Sequence, residues 1–133
     1  MLRKIGQEAR EASKALASAS GDQKNQALKL MSKSLMDNCD LILDANKQDL
    51  KKGKDIGISE ALTDRLTLTN ERIQSMATGL LKIVELEDPV GKVEKEWTGE
   101  NGLEYKKIRF PFGVIGVIYE ARPNVTSDVG GLC

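Results

Sequence analysis

Within five residues, Glu120-Ala121-Arg122-Pro123-Asn124, the chain sets down a carboxylate, a guanidinium and a carboxamide. Arg122 offers a planar fork that suits a carboxylate or a phosphate, and Pro123 fixes the backbone beside it. Asn124 offers an amide donor of the kind that stabilises a developing oxyanion. A plainer reading stands beside this one: Arg122 pairs with Glu120 or a surface acid, and Asn124 caps the helix that follows.

The rest of the chemistry is narrowed by what the chain lacks. It has no histidine, which removes Ser-His-Asp and Cys-His arrangements and the common metal sets. Of its two cysteines, Cys39 falls on the apolar stripe of a helix and reads as a packed thiol. Cys133 lies about two turns into the last helix beside Val129 and Leu132, so burial against a sheet is expected rather than a catalytic thiolate. Gly113 and Gly116 form only a G-x-x-G within an apolar run. A pyrophosphate cradle needs its glycines in the turn after the strand, so these two are expected to admit a close neighbour. The basic runs Lys51-Lys52-Gly53-Lys54 and Lys106-Lys107 read as solvated faces.

What positions the Glu120 to Asn124 loop is the run before it. Val114, Ile115, Val117 and Ile118 are β-branched and continuous, the pattern of a parallel strand covered on both faces. Covering four such side chains contributes roughly 6–12 kcal/mol, about the whole stability of a small domain. The expectation is therefore an N-terminal part of a longer α/β protein, with the strand running into a ligand-facing loop and a helix from about Thr126.

Upstream the pattern is helical. Leu2, Ile5, Ala9, Ala12, Leu16 and Ala19 predict one amphipathic helix ending near Ser20-Gly21. A second, capped by Asp22, carries Ala27, Leu28, Met31, Leu35, Cys39, Ile42 and Ala45 and is expected to run to about Leu50. Ser59 to Leu62 predicts a short helical piece. Thr69 reads as the cap of a further helix striped by Ile73, Met76, Ala77, Leu80, Leu81 and Val84, closed by the turn Asp88-Pro-Val-Gly91. From Val93 the period becomes two, and Asn101-Gly102 marks the turn of a β-hairpin. A slip of parity between Tyr105 and Ile108 predicts a bulge near Lys106-Lys107.

Charge is balanced, with 20 basic and 20 acidic residues, so neither nucleic acid nor an anionic membrane is suggested as a partner. No apolar run approaches the roughly 20 residues of a membrane span, and the N-terminus lacks the pattern of a signal peptide. A cytoplasmic protein is expected.

The string PFGVIGVIYEARPNVTSD at 111–128, with ALTDRLTLTNERI at 61–73 and DPVGKV at 88–93, resembles the γ-glutamyl phosphate reductase family (glutamate-5-semialdehyde dehydrogenases) of the aldehyde dehydrogenase superfamily. The stretches NQALKLM, LDANKQDL and NGLEYKKIRFP extend the resemblance through the chain. It implies an α/β, aldehyde-dehydrogenase-like fold: helices of residues 1–92 belonging to an NAD(P)-binding domain, a β-hairpin at 93–110 belonging to an oligomerisation arm, and at 111–133 the first strand and helix start of a Rossmann-like sheet left incomplete.

The resemblance also implies a reaction. A cysteine thiolate attacks an acyl phosphate, phosphate leaves, and NADPH reduces the thioester to the semialdehyde, a step of proline biosynthesis. That cysteine lies in the family's later half, and neither Cys39 nor Cys133 matches its motif. Asn124 is the implied oxyanion-hole donor, its register one or two residues off the superfamily's usual Pro-Trp-Asn. Arg122 would face the substrate's phosphate or carboxylate, and the backbone of Glu120 and Ala121 would line the cofactor. The partners implied are a small acyl-phosphate substrate and further copies of the full-length protein, joined through the hairpin. Two other readings stay open: a truncated non-catalytic product of the same ancestry, and a helical module whose hairpin pairs with a partner's sheet edge.

Overall fold

A computed structural model describes all residues, Met1–Cys133, and divides them into two compact units, one of Met1–Gly21 with Glu87–Ile115 and one of Asp22–Leu86 with Gly116–Cys133. In the first unit, helix α1 (Leu2–Ala17) forms where its apolar spacing predicts, but none of its residues is buried. The hairpin joins β1 (Val93–Thr98) to β2 (Glu104–Ile108), antiparallel, with every residue of both strands exposed.

The hairpin is held by its cross-strand pairs. Trp97 lies opposite Tyr105, their rings stacked 5.3 Å apart, and Lys95 Nζ sits 5.5 Å from the Trp97 ring centroid. Glu96 meets Lys106 at 2.9 Å, while Glu94 accepts from Lys107 at 2.8 Å and from Arg109 at 2.9 Å. The irregularity expected near Lys106-Lys107 falls on the opposite strand, between Val93 and Lys95, where Glu94 is the extra residue. One extra residue there absorbs the parity slip as well as a bulge in β2 would. Only Gly102 in the turn has positive φ (+76°). Gly102 N–H donates to Gly99 C=O at 2.9 Å, so the turn is of the longer kind closed by a left-handed glycine.

The second unit contains α2 (Gly21–Asp37), α3 (Cys39–Asp55), α4 (Glu60–Leu66), α5 (Asn70–Val84) and α6 (Asn124–Leu132). The single helix expected from Asp22 to Leu50 is two, and Asp22 lies inside the first turn of α2 rather than capping it. The break is at Asn38, whose side-chain amide donates to Ser34 C=O at 2.8 Å and competes with the helical ladder. Ser59 and Thr69 cap α4 and α5, accepting from the backbone N–H of Leu62 and Arg72 respectively.

The core of this unit is Leu28 from α2 with Ile73, Met76, Ala77 and Leu80 from α5. Leu81, also on the expected stripe, is instead exposed. Glycine lets α6 come close to this core: a Cβ on Gly131 would press into the side chains of Leu80 and Ile83 and touch Leu28. Buried Asn46 on α3 donates to Leu66 C=O and accepts from Leu68 N–H, both at 2.8 Å, which fastens the corner between α4 and α5.

Two features expected at the C-terminal end are not formed within these residues. Val114 to Tyr119 pair with nothing, for the only sheet is β1–β2 and residues 109–121 carry no helix or strand. A strand exists only through a ladder partner, and neither β1 nor β2 pairs with this run; Ile118 is fully exposed, at 103%. Nothing approaches within 4 Å of the space beside Gly113 or Gly116, so neither admits a close neighbour; Gly113 instead takes a positive φ of +90°, open to glycine. Without a sheet to cover it Cys133 is exposed, whereas Cys39 is half-buried and donates to Asn70 Oδ1 at 3.2 Å.

Candidate functional site

The loop after residue 119 is built on a strained backbone. Ala121 has φ +51°, the left-handed region that an L-residue with a Cβ enters at a cost of roughly 1–3 kcal/mol. Tyr119 and Thr126 fasten its two ends, hydroxyl to hydroxyl at 2.5 Å. Within it, Val125 N–H donates to Arg122 C=O at 3.1 Å, and Pro123, already helical at φ −59°, leads into α6.

This loop forms one wall of a cleft of about 460 Å³, the size of a small-metabolite site. Arg122, Pro123, Asn124 and Asp128 line that side; the corner between α4 and α5 lines the other through Asp64, Arg65, Thr67 and Leu68, with Arg72, Ser75 and Met76 from α5. Arg122 and Asn124, singled out from the sequence, thus share one cavity. Glu120 and Ala121 do not line it. Their backbone N–H groups donate to no main-chain carbonyl, so both amides are open to a ligand.

Each polar group has a definite state. Asn124 does not cap α6; it is the helix's first residue, and its Nδ2 donates to Asp128 Oδ2 at 2.8 Å. A carboxamide has two N–H donors, so one remains, with the plane of the amide set by Asp128. Arg122 makes no ion pair with Glu120 or any other acid. Arg72, by contrast, is held by three hydrogen bonds: Nη1 donates to Asp64 C=O at 2.5 Å and Thr67 C=O at 2.7 Å, and Nη2 to Asp64 Oδ1 at 2.9 Å. Just beyond the cleft, the hydroxyl of Thr69 and the backbone N–H of Glu71 itself hold the Glu71 carboxyl below its ordinary range. No group of carboxylates and thiols is arranged to hold a metal ion.

Arg65, Arg72 and Asp128 were not legible as site residues. Asp128 had a faint signal, its spacing of four from Asn124 on a helix. Arg65 and Arg72 had none, because nothing local joins positions 64–76 to 122–128.

No protein-family model matches the chain. Curated relatives do. The chain is 51% identical over 128 residues to a gamma-glutamyl phosphate reductase of Moorella thermoacetica and 50% identical over 129 residues to one of Allorhizobium ampelinum, matching along 96% and 97% of its own length. It spans only 31% and 30% of those relatives. Among solved structures it superimposes with a TM-score of 0.94 on the gamma-glutamyl phosphate reductase of Thermotoga maritima, at 39% identity, covering 98% of this chain and 32% of that one. With the yeast enzyme, from Saccharomyces cerevisiae, the TM-score is 0.91 at 34% identity. No helix is long and apolar enough to cross a membrane.

Proposed function

Because the chain shares about half its residues, along nearly its whole length, with about a third of each gamma-glutamyl phosphate reductase it matches, we propose that it is the N-terminal segment of an enzyme of that family. The reaction is the reduction of γ-glutamyl 5-phosphate to glutamate 5-semialdehyde, in the cytoplasm, for proline synthesis. The nucleophilic cysteine is supplied from outside residues 1–133. The observation that carries the reading is the extended match itself, to which the cleft adds an open amide donor and an unpaired guanidinium on one wall.

NADPH, when bound, supplies the hydride. The open N–H groups of Glu120 and Ala121 suit the backbone lining of a phosphate-bearing cofactor, and they require no glycine fingerprint. The remaining N–H of Asn124 stabilises negative charge as it develops on the substrate's acyl oxygen, and Asp128 holds that amide in place beforehand. In the assembled enzyme the apolar run from Val114 to Tyr119 becomes the first strand of a Rossmann-like sheet, and the exposed hairpin is the arm through which copies associate.

The protein encoded by the uninterrupted reading frame that contains these residues tests this. It should oxidise NADPH only in the presence of the acyl phosphate, and NADH more slowly. If neither nucleotide is oxidised in an acyl-phosphate-dependent way, the reductase reading is wrong.

A further inference from the structure

Three arginines line the cleft, and they are not equivalent. Arg72 is tied to Asp64 and Thr67, and its charge is already paired with a carboxylate. Arg65 and Arg122 have no hydrogen-bond or ion-pair partner, and both line the cleft, one from α4 and one from the loop before α6. The other acid, Asp128, accepts from Asn124 through one oxygen and keeps its charge, so the three arginines outnumber the two carboxylates of the cleft by one. A guanidinium stays protonated at any physiological pH and carries five donors in a fixed fork, so two of them facing one cavity present up to ten unsatisfied N–H groups. Leu68, Met76 and Pro123 line the same cleft and give it apolar surface beside the cations.

We propose that Arg65 and Arg122 form a two-sided clamp for one oxyanion of the substrate, a phosphoryl or a carboxylate group, with the apolar surface taking its carbon chain. Arg72 is a positioning residue: by tying Asp64 and Thr67 to α5 it fixes the end of α4 from which Arg65 extends. The clamp rests on the reductase reading for the identity of its anion, and on the cleft alone for its existence. A charge-assisted bidentate contact is strong enough that losing either arm weakens binding about tenfold or more.

The test uses the complete enzyme run toward the acyl phosphate, where inorganic phosphate and the semialdehyde are separate substrates. Arg65→Gln and Arg122→Gln should each raise one KM about tenfold or more with the melting temperature unchanged, and Lys29→Gln, at an exposed position of α2 that does not line the cleft, should raise neither. A rise for phosphate assigns the clamp to the phosphoryl group; a rise for the semialdehyde assigns it to the carboxylate. Arg65→Lys should recover part of the loss. If both KM values stay at the wild-type level in Arg65→Gln, the clamp is refuted. Should the protein lack reductase activity, calorimetric titration with inorganic phosphate decides separately: binding lost in both glutamine variants sustains the clamp without the reaction, and binding absent or unaltered refutes it.

Discussion

The amide of Asn124 and the guanidinium of Arg122 stand two positions apart on the loop, and the structure gives them different freedom. Asn124 is held by Asp128, so its remaining donor has a fixed direction, while Arg122 keeps its full set of donors. A preset donor is what an oxyanion requires, because no reorganisation is left for the moment of reaction. In the complete enzyme Asn124→Ala should therefore lower kcat about 10²–10³-fold. The single lost hydrogen bond is exposed, so thermal denaturation should barely move. Wild-type kcat in that variant would take Asn124 out of the chemistry. Asp128→Asn should show an intermediate loss, since an amide can still accept from Asn124 but holds it less firmly.

At the level of elements, glycine decides how close α6 lies to α5. A methyl at Gly131 collides with Leu80, which is 2% exposed and has nowhere to go. Gly131→Ala gains up to about 1 kcal/mol in helix propensity, yet overpacking of this kind costs about 1–3 kcal/mol, so a net loss of stability is expected in urea titration. The hairpin makes a different prediction. Lys107, and then Arg109, hold the Glu94 carboxyl below its usual value near 4.5. A depressed carboxylate pKa stabilises the fold above the unfolded-state value, and that contribution disappears as pH falls through the lower folded value. The near-ultraviolet dichroism of the stacked Trp97 and Tyr105 should therefore weaken on acidification below about pH 4.5, and Glu94→Gln should flatten that profile. Periodicity made α1, α5 and the hairpin legible, and the threonine cap of α5 too, because those signals are local. The break at Asn38 and the bulge at Glu94 were not legible, since each is settled by a side chain competing with, or displaced from, a ladder. The run at Val114 is unpaired for a related reason: its pattern reports a covering that other parts of a sheet must provide.

For the molecule as a whole, the run from Phe110 to Tyr119 dominates behaviour in solution. Phe110, Phe112, Ile115 and Ile118 are all more than half exposed, a concentration of apolar side chains along the chain of the kind that drives association. Residues 1–133 alone should sediment as larger species with rising concentration and should bind hydrophobic dyes. The pair Ile115→Lys and Ile118→Lys should suppress both effects, whereas in the complete enzyme the same pair should prevent folding. A monodisperse wild-type chain at every concentration would contradict this. The site itself is anchored differently. Since Asn46 joins α3 to Leu66 and Leu68 by two hydrogen bonds, opening the corner that lines part of the cleft requires breaking its tie to α3. Hydrogen exchange at the Leu68 amide should then follow the slow, cooperative exchange of α3 rather than the fast fraying of a loop. A binding wall with that property remains assembled between turnovers, and its ligand meets a surface already in place.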